Sequence, residues 1–255
     1  MRVSTDTVQL VQLTDLHLLA DPDGRLKGVA TLASLRATLR AAAADLAGAD
    51  VIVLSGDLVQ DQPAAYAHLP PLLTPLGLPV LCIPGNHDLP SVLATSLQQA
   101  PFQVGGQHDV GHWRILLLDS SVAGQAYGEL GSATLAALAL QLQQAADRHV
   151  LIVLHHPPLP LGSAWLDDIG LRDGAALLAL LHAHDCVRGV VFGHAHQVYD
   201  SSQGRLRLLG TPSTCAQFRP RSAEFALDDL PPAYRVLQLQ ANGQIDTRVV
   251  WVHCD

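Results

Sequence analysis

Short apolar runs alternate with stretches of helical periodicity along most of the chain. Several of these runs are rich in Val, Ile and Leu throughout, as are strands that a sheet covers on both faces. Alternation of such strands with helices predicts a layered α/β domain with helices on the sheet faces. The strand-like runs are 7–15, 50–57, 79–86, 113–120, 149–156 and 187–194, and the helical patterns are 29–48, 90–100, 132–148 and 174–184.

The carboxyl-terminal part of the chain has a different pattern. A strand-like run at 205–210 precedes two more within 234–252, and Asn242-Gly243 stands between those two. Asn-Gly in that position is a strong hairpin signal. No repeat, low-complexity tract or long linker interrupts the sequence. We therefore expect a single domain over residues 1–255, in which the strands and hairpin of 205–252 complete a second sheet.

Side chains that bind metal ions follow five of the strand-like runs. Because the carboxyl ends of strands in an open α/β sheet share one edge, residues far apart in sequence meet there. We expect these side chains to form one site. They are Asp15, His17, Asp57, Asn86, His87, His155, His156, His194 and His196.

This set offers oxygen and nitrogen ligands without a thiolate. It suits Mn, Fe, Zn or Co rather than calcium, which takes oxygen ligands only. Two Asp, one Asn and at least four His of this set make seven candidate ligands. Seven exceed what one tetrahedral ion needs, whereas two ions that share a bridging carboxylate would use them all. Pairs of metal ions cleave phosphate esters in many enzymes. The residues therefore predict a hydrolase with two metal ions.

The five blocks also stand in a recognisable order. They read TDLHL, SGDLVQD, PGNHDLP, HHPPLP and FGHAHQ, within residues 13–197. This series resembles the signature of the calcineurin-like metallophosphoesterases. Segments 118–131, 162–174 and 210–220 resemble parts of the bacterial class III cyclic nucleotide phosphodiesterases of that superfamily. The resemblance implies an α/β/β/α sandwich, with two mixed sheets flanked by helices.

The resemblance also implies a role for each residue of the pattern. His87 would donate a proton to the leaving oxygen or stabilise charge on the phosphoryl oxygens, and Asn86 and His87 would contact the phosphate. The nucleophile would be a metal-activated hydroxide. The two ligand sets share Asp57 as the bridge and are Asp15, His17, Asp57 and His196 for one ion, and Asp57, Asn86, His155 and His194 for the other.

Some assignments leave alternatives open. Pro157 follows His155 by two positions, which fits the H-x-P pattern, so we assign the ligand to His155 and expect His156 to face the substrate or support a ligand. Asp61 and Asp88 are candidates for hydrogen bonds to ligand histidines, but helix capping explains them equally well. The expected ions are divalent or mixed-valence, Fe and/or Mn, with Zn or Co as alternatives.

These features predict a phosphoric diester hydrolase that opens 3',5'-cyclic AMP, or a related cyclic nucleotide, to the nucleoside monophosphate. Other substrates on the same scaffold would be a glycerophosphodiester, a nucleotide-sugar lipid or a phosphomonoester. A scaffold protein that had kept the fold and lost the chemistry would show decayed ligands. All seven are present here, as is His87.

Composition narrows the partners and the location. A formal net charge of -8, with 15 Lys and Arg and no basic cluster, argues against a nucleic-acid polymer as partner. No apolar run approaches the ~18 residues that span a bilayer, and the amino terminus lacks a signal-peptide pattern. The spacing of Cys82, Cys186, Cys215 and Cys254 fits reduced thiols. We expect a cytoplasmic monomer or homodimer that acts on a small phosphodiester.

Overall fold

The fold is built on two six-stranded sheets that pack face to face. The computed structural model describes residues 7–253. A strand forms at each of the six apolar runs. In chain order the strands are β1 (Thr7–Leu13), β2 (Arg25–Leu26), β3 (Val29–Ala30), β4 (Val51–Ser55), β5 (Val80–Ile83), β6 (Phe102–Val104), β7 (Gly106–Val110), β8 (Trp113–Leu117), β9 (His149–Val153), β10 (Val187–Phe192), β11 (Tyr199–Gln203), β12 (Leu206–Gly210), β13 (Gln217–Phe218), β14 (Leu227–Asp228), β15 (Ala233–Gln240) and β16 (Ile245–Trp251).

Helices form at each of the four helical patterns, and the first pattern divides into two helices at Ala42. None of the helices in residues 7–253 is long and apolar enough to cross a membrane. The α-helices are α1 (Thr31–Ala41), α2 (Ala43–Gly48), α3 (Leu69–Leu73), α4 (Pro90–Ser96), α5 (Gly131–Gln143), α6 (Ala164–Asp167) and α7 (Gly174–His182), and Pro63–His68 and Thr74–Leu76 form 3-10 turns.

Both large sheets are mixed. The first has the order β16-β15-β1-β4-β5-β6, in which β1, β4, β5 and β6 run parallel and β15 is antiparallel to both β1 and β16. The second has the order β11-β12-β10-β9-β8-β7, with four parallel central strands and an antiparallel strand at each edge. The predicted α/β class with two mixed sheets is confirmed.

Three apolar clusters define the layers of the sandwich. The middle cluster joins the facing sides of the sheets, for example Leu10 and Leu81 from the first sheet with Ile115 and Leu151 from the second. One outer cluster lies between the first sheet and helices α1 to α4, and the other between the second sheet and helices α5 and α7. Burial on both faces explains why the central strands read as nearly continuous apolar runs.

The carboxyl-terminal hairpin corrects one expectation. The hairpin is present, but it pairs with β1 in the first sheet, with Leu10 opposite Leu237, whereas β12 pairs with β10 in the second sheet. Residues 205–252 therefore do not complete one sheet. The reason is packing, because Leu237 of β15 enters the middle cluster while Val236 enters the outer cluster of the first sheet.

Within the described residues, the thiols of Cys82, Cys186 and Cys215 are free, as the cysteine spacing predicts. Cys254 lies outside the described residues. Burial raises the pKa of the Cys215 thiol to about 12, so this side chain is a neutral packing group at physiological pH.

Arg235 joins the two sheets through a buried hydrogen-bond network. Its Nε donates to Thr211 Oγ1 at 3.0 Å and its Nη2 to the Gly210 carbonyl at 2.8 Å, both at the end of β12. Its Nη1 donates to Thr247 Oγ1 at 3.1 Å within the first sheet. Burial lowers the pKa of the guanidinium to about 10, so the group stays charged at neutral pH and needs these acceptors.

We expect Arg235→Met to lower the free energy of unfolding by about 2–4 kcal/mol, because several charge-assisted hydrogen bonds are lost and buried acceptors stay unpaired. Urea unfolding followed by circular dichroism measures the change. Arg248→Met is the control, since the Arg248 side chain is 54% exposed and its pair with Asp45 contributes less than about 1 kcal/mol. Equal losses in the two variants would contradict the role given to Arg235.

Candidate metal centre

Five loops at the carboxyl ends of β1, β4, β5, β9 and β10 converge at one end of the sandwich. Backbone hydrogen bonds join neighbouring loops, from Asp15 N to the Gly56 carbonyl (3.0 Å) and from Gly193 N to the His155 carbonyl (3.1 Å). The Asp15 carboxylate also accepts from His194 N at 3.1 Å, which links the first sheet to the second. The structure thus brings all the predicted site residues into one region.

The backbone is left-handed at most of the predicted ligands. Non-glycine residues rarely adopt positive φ, and such strain concentrates at functional sites. Only three of the eight non-glycine positions with positive φ in residues 7–253 lie outside the predicted ligand set. The five ligand positions are Asp15 (53°), His17 (47°), Asp57 (51°), His194 (62°) and His196 (49°). The loops therefore hold strained conformations where the chemistry is expected.

Asp57 occupies the middle of the cluster. Its Oδ2 lies 3.4 Å from His155 Nε2 and 3.8 Å from His17 Nε2, so the carboxylate faces histidines from both sheets. His196 Nε2 lies 3.2 Å from Asp15 Oδ1 and 3.1 Å from His17 Nε2. Imidazole nitrogens from both sheets thus lie beside two carboxylates, Asp57 and Asp15.

Four overlapping triads of these side chains have ligand atoms within 4.8 Å of one another. Two share Asp57 and two share Asp15, so the triads form one continuous cluster and not separate sites. The triads are His155, His156 and His194; Asp15, His17 and His196; His17, Asp57 and His87; and Asp15, Asp57 and His155.

Several buried atoms in the cluster lack a hydrogen-bond partner. They include the carbonyl oxygen of the Asn86 side chain and the Nε2 atoms of His155, His156 and His194. A buried polar atom without a partner is costly, and such atoms are few in native proteins. Lone pairs of imidazole nitrogen and amide oxygen are ligands for first-row transition metals. The donor set therefore fits metal ions.

Burial and charge keep most of these groups in the form that binds metal. Burial lowers the pKa of His17 to about 4 and that of His156 to about 3, and it lowers the pKa of His194 well below its ordinary value. Burial opposes ionisation of Asp57, but His155, with His17 and His87, outweighs it and holds the pKa of the carboxyl well below normal. These histidines are neutral and the carboxylate is charged at physiological pH.

His155 differs from the other histidines. Burial lowers its pKa, but Asp57, Asp15 and the Ser55 carbonyl together outweigh burial and raise the pKa to about 9. The imidazole therefore carries a proton when it faces these acceptors alone. Because a metal ligand must present a free lone pair, binding of an ion at this nitrogen displaces that proton.

Backbone carbonyls orient two of the imidazoles. His155 Nδ1 donates to the Ser55 carbonyl at 2.9 Å, and His196 Nδ1 donates to the Ala216 carbonyl at 2.6 Å. These bonds leave Nε2 of each ring for the centre, as is usual for histidine ligands of metals. Sequence reasoning missed both carbonyl partners, since a main-chain acceptor leaves no mark on the residue type.

His156 is buried and not open to the solvent. Its Nδ1 lies 2.8 Å from Ser120 Oγ, and its Nε2 belongs to the triad with His155 and His194. His155 lies closer to the shared carboxylate Asp57, which favours it for the ligand position. His156 supports the centre from the side of the second sheet.

His87 lies at the edge of the centre, with its side chain 32% exposed. Its Nδ1 lies 3.0 Å from Asp61 Oδ2, and its backbone N–H donates to Asp57 Oδ1 at 2.9 Å. Gln60 Nε2 lies 2.9 Å from the same Nδ1 atom, so the Asp61 carboxylate and the Gln60 amide together orient the ring. Asp61 thus contacts His87, which is not one of the predicted ligand histidines.

Asp88 joins the loops that carry Asn86 and Asp57. Its carboxylate accepts hydrogen bonds from the backbone N–H groups of Leu58, Val59 and Gly85 and from the Tyr66 hydroxyl, at 2.8 to 3.2 Å. The sequence left open whether Asp88 bonds a ligand histidine or caps the following helix, and in the structure it does neither. It fixes the relative position of two ligand-bearing loops.

Gly85 leaves room for two of the ligands. A Cβ atom at this position would collide with the Asp57 carboxylate and with the His155 imidazole. We expect Gly85→Ala to lower kcat/KM by about 10²-fold, because small displacements of reacting groups have effects of that size. Diesterase kinetics measure this loss of kcat/KM, and metal analysis shows whether the ions are still bound. Gly48→Ala is the control, since its added methyl meets only the flexible end of Gln9; unchanged activity in Gly85→Ala would contradict the close packing.

Known proteins are similar to this chain in sequence and in fold. The sequence profile described as calcineurin-like phosphoesterase matches residues 8–198. The chain is 41% identical over 244 residues to the 3',5'-cyclic adenosine monophosphate phosphodiesterase CpdA of Escherichia coli K12, which covers 95% of this chain and 89% of the relative. It is 38% identical over 249 residues to the protein of the same name from Vibrio vulnificus, covering 97% and 91%.

The architecture is similar to that of a dimetal phosphatase from Danio rerio. The TM-score is 0.68 over 96% of this chain and 99% of that one, at 15% sequence identity, so the likeness concerns the fold alone. The matched profile spans every loop of the centre described above, from Asp15 to His196. The chain belongs to the calcineurin-like phosphoesterase family.

Proposed function

We propose that this protein is a metal-dependent phosphodiesterase that hydrolyses 3',5'-cyclic AMP to AMP. One observation supports the proposal: nearly full-length similarity to relatives named for that activity coincides with a continuous cluster of Asp and His side chains that could hold metal ions. An inactive scaffold would have no reason to maintain strained ligand loops, since backbone strain has an energetic cost.

Asp57 is the bridge between two ions in this proposal. Its carboxylate has histidines from both sheets beside it, and its negative charge offsets the repulsion between neighbouring cations. The Asn86 side chain adds a neutral oxygen, which leaves the loaded centre positive enough to attract an anionic diester. Asp15, His17, Asp57 and His196 would hold one ion, and Asp57, Asn86, His155 and His194 the other.

When bound, the two ions supply Lewis acidity to the phosphoryl oxygens and acidify a water molecule so that it can attack phosphorus near neutral pH. Iron and manganese are the ions we propose, since mixed nitrogen and oxygen ligands suit both; zinc and cobalt remain compatible with the same donors.

His87 serves the leaving group. The 3'-oxygen of a cyclic nucleotide leaves as an alkoxide, which is a poor leaving group unless it receives a proton. Asp61 holds His87 through Nδ1, so Nε2 is the atom available to donate toward the substrate. Asp57 Oδ1 fixes the backbone of His87, so the same carboxylate positions both the metal centre and the proton donor.

A kinetic panel tests the proposal. The protein is stripped with a chelator, reloaded with Mn²⁺ or Fe²⁺, and assayed on cyclic AMP, bis-p-nitrophenyl phosphate and p-nitrophenyl phosphate. We expect metal-dependent hydrolysis of both diesters, with the higher kcat/KM on cyclic AMP. Activity on the generic diester alone would keep the chemistry and reject the cyclic nucleotide, in favour of another small diester. No hydrolysis of any of the three esters by protein with two ions bound would reject the proposal that the protein is an enzyme.

The named relatives support a small-molecule substrate. The cytoplasmic location and the choice between monomer and homodimer stay predictions from the sequence. Fractionation of cells that express the protein and light scattering of the purified chain measure them.

A further inference from the structure

Three aromatic side chains form a cluster beside the metal centre. Trp165, Phe218 and Phe225 contact one another edge to face, each pair with ring centroids 5.3 Å apart. Trp165 lies in α6, Phe218 ends β13 and Phe225 lies between β13 and β14. A hydrogen bond from Ser222 N to Ser163 Oγ at 3.3 Å joins these two parts of the chain, which are distant in sequence. We call these three rings the aromatic platform.

The platform is continuous with the centre. The Phe218 ring stacks on the His196 imidazole, with centroids 4.0 Å apart and planes inclined by 10°. The Phe218 backbone N–H also donates to the His196 carbonyl at 3.2 Å. The platform therefore begins at a predicted metal ligand and extends outward from it.

The outer end of the platform is open. Phe225 is 46% exposed, and the group above its face is the flexible side chain of Lys27, whose Nζ lies 5.0 Å from the ring centroid. Lys27 stands in the tight turn between β2 and β3, where Lys27 and Gly28 both have positive φ as a two-residue hairpin turn requires. A planar ligand can displace or share this contact without moving the core.

The chain around Phe225 exposes further apolar side chains. Phe225, Leu227 and Leu230 stand close together in sequence, and all three are among the exposed large apolar residues of 7–253. Leu89, Leu140 and Val198 are the others. Apolar surface beside a polar centre suits a ligand with one charged and one apolar end.

We propose that the aromatic platform binds the nucleobase of the substrate, with Phe225 as its main stacking surface. This inference rests on the proposed function. In a nucleotide the ribose separates the base from the phosphate, so with the phosphate at the centre the base lies outside it, where a platform that begins at His196 can meet it. Base–aromatic stacking depends on the π-face that every base presents, so the platform selects nucleotides over diesters without a base.

The test compares two inhibitors on the metal-loaded protein, with bis-p-nitrophenyl phosphate as the reporter substrate. Inorganic phosphate reports on the centre alone, and AMP reports on the centre together with the platform. We expect Phe225→Ala to raise the ratio of the inhibition constants, AMP over phosphate, about tenfold, as the loss of one stacking contact predicts. Phe225→Trp should restore the ratio to near the wild-type value, because the indole offers a larger face.

Leu140→Ala is the matched control for trimming an exposed apolar side chain, and we expect the same ratio as in the wild type. If both inhibition constants rise together in Phe225→Ala, the platform only positions His196 and the inference is wrong. An unchanged ratio also overturns it, and a change in the solution mass of the protein in that case would indicate that Phe225 contacts a second copy.

Failure of the inference and failure of the proposed function are distinguishable. The inhibition ratio is read on a generic diester, so it decides the role of the platform whether or not cyclic AMP is hydrolysed. Absence of cyclic AMP hydrolysis together with a Phe225-dependent ratio would reject the substrate and keep the nucleotide-binding platform. Hydrolysis of cyclic AMP with an unchanged inhibition ratio would keep the substrate and reject the platform as the site of the nucleobase.

Discussion

Replacement of Asp57 by asparagine is expected to remove metal ions from the centre and to lower kcat by about 10⁴-fold or more, since metal ions contribute several kcal/mol and each 1.36 kcal/mol is a factor of ten. The variant keeps the size of the side chain and loses its negative charge. That charge lies within 4 Å of His17 and His155, so it is the group best placed to hold two cations together. Metal analysis after gel filtration and diester kinetics measure the two effects.

The matched control for Asp57 is an exposed carboxylate. The Asp185 side chain is 96% exposed and pairs with Arg205 at the surface, so Asp185→Asn should change neither metal content nor turnover. Circular dichroism of Asp57→Asn establishes that the sandwich is folded. Two bound ions and near-normal turnover in that folded variant would contradict a bridging role for Asp57.

The strands and the ligand positions were accessible from the sequence because their signals are local. A strand buried on both faces is apolar throughout, and a metal ligand is one of a few residue types. The apolar run of β4 and the candidate ligand Asp57 shortly after it can therefore both be recognised from their own residues. The order of the five blocks then indicated which side chains meet. The predicted layers and the convergence of the loops follow from that information.

The sheet that receives the hairpin was not accessible in the same way. Asn242-Gly243 specifies a turn, but the choice of partner strand depends on contacts such as Leu10 with Leu237, which are 227 positions apart in the chain (237 − 10). The aromatic platform was hidden for the same reason. Trp165 and Phe218 are ordinary residues in their own segments, and only the folded loops bring their rings together.

His87 should prove essential for turnover and dispensable for metal binding. It is not needed as a ligand, because its Nδ1 is engaged by Asp61 and its ring is partly exposed at the edge of the centre. We expect His87→Ala to lower kcat on cyclic AMP by about 10²–10⁴-fold, the usual contribution of general acid catalysis. Metal content should stay at the wild-type level.

Two leaving groups distinguish the two roles that His87 can play. The ribose 3'-oxygen needs a proton as it leaves, whereas p-nitrophenolate is stable without one, so a proton donor matters far more for cyclic AMP than for bis-p-nitrophenyl phosphate. Stabilisation of charge on the phosphoryl oxygens would instead lower both rates alike. We expect the larger loss on cyclic AMP, because Asp61 holds Nδ1 of the partly exposed His87 ring, which leaves Nε2 available to reach the leaving oxygen. Exposed His112, replaced by alanine, is the control, and equal losses on the two substrates would assign His87 to the phosphoryl oxygens.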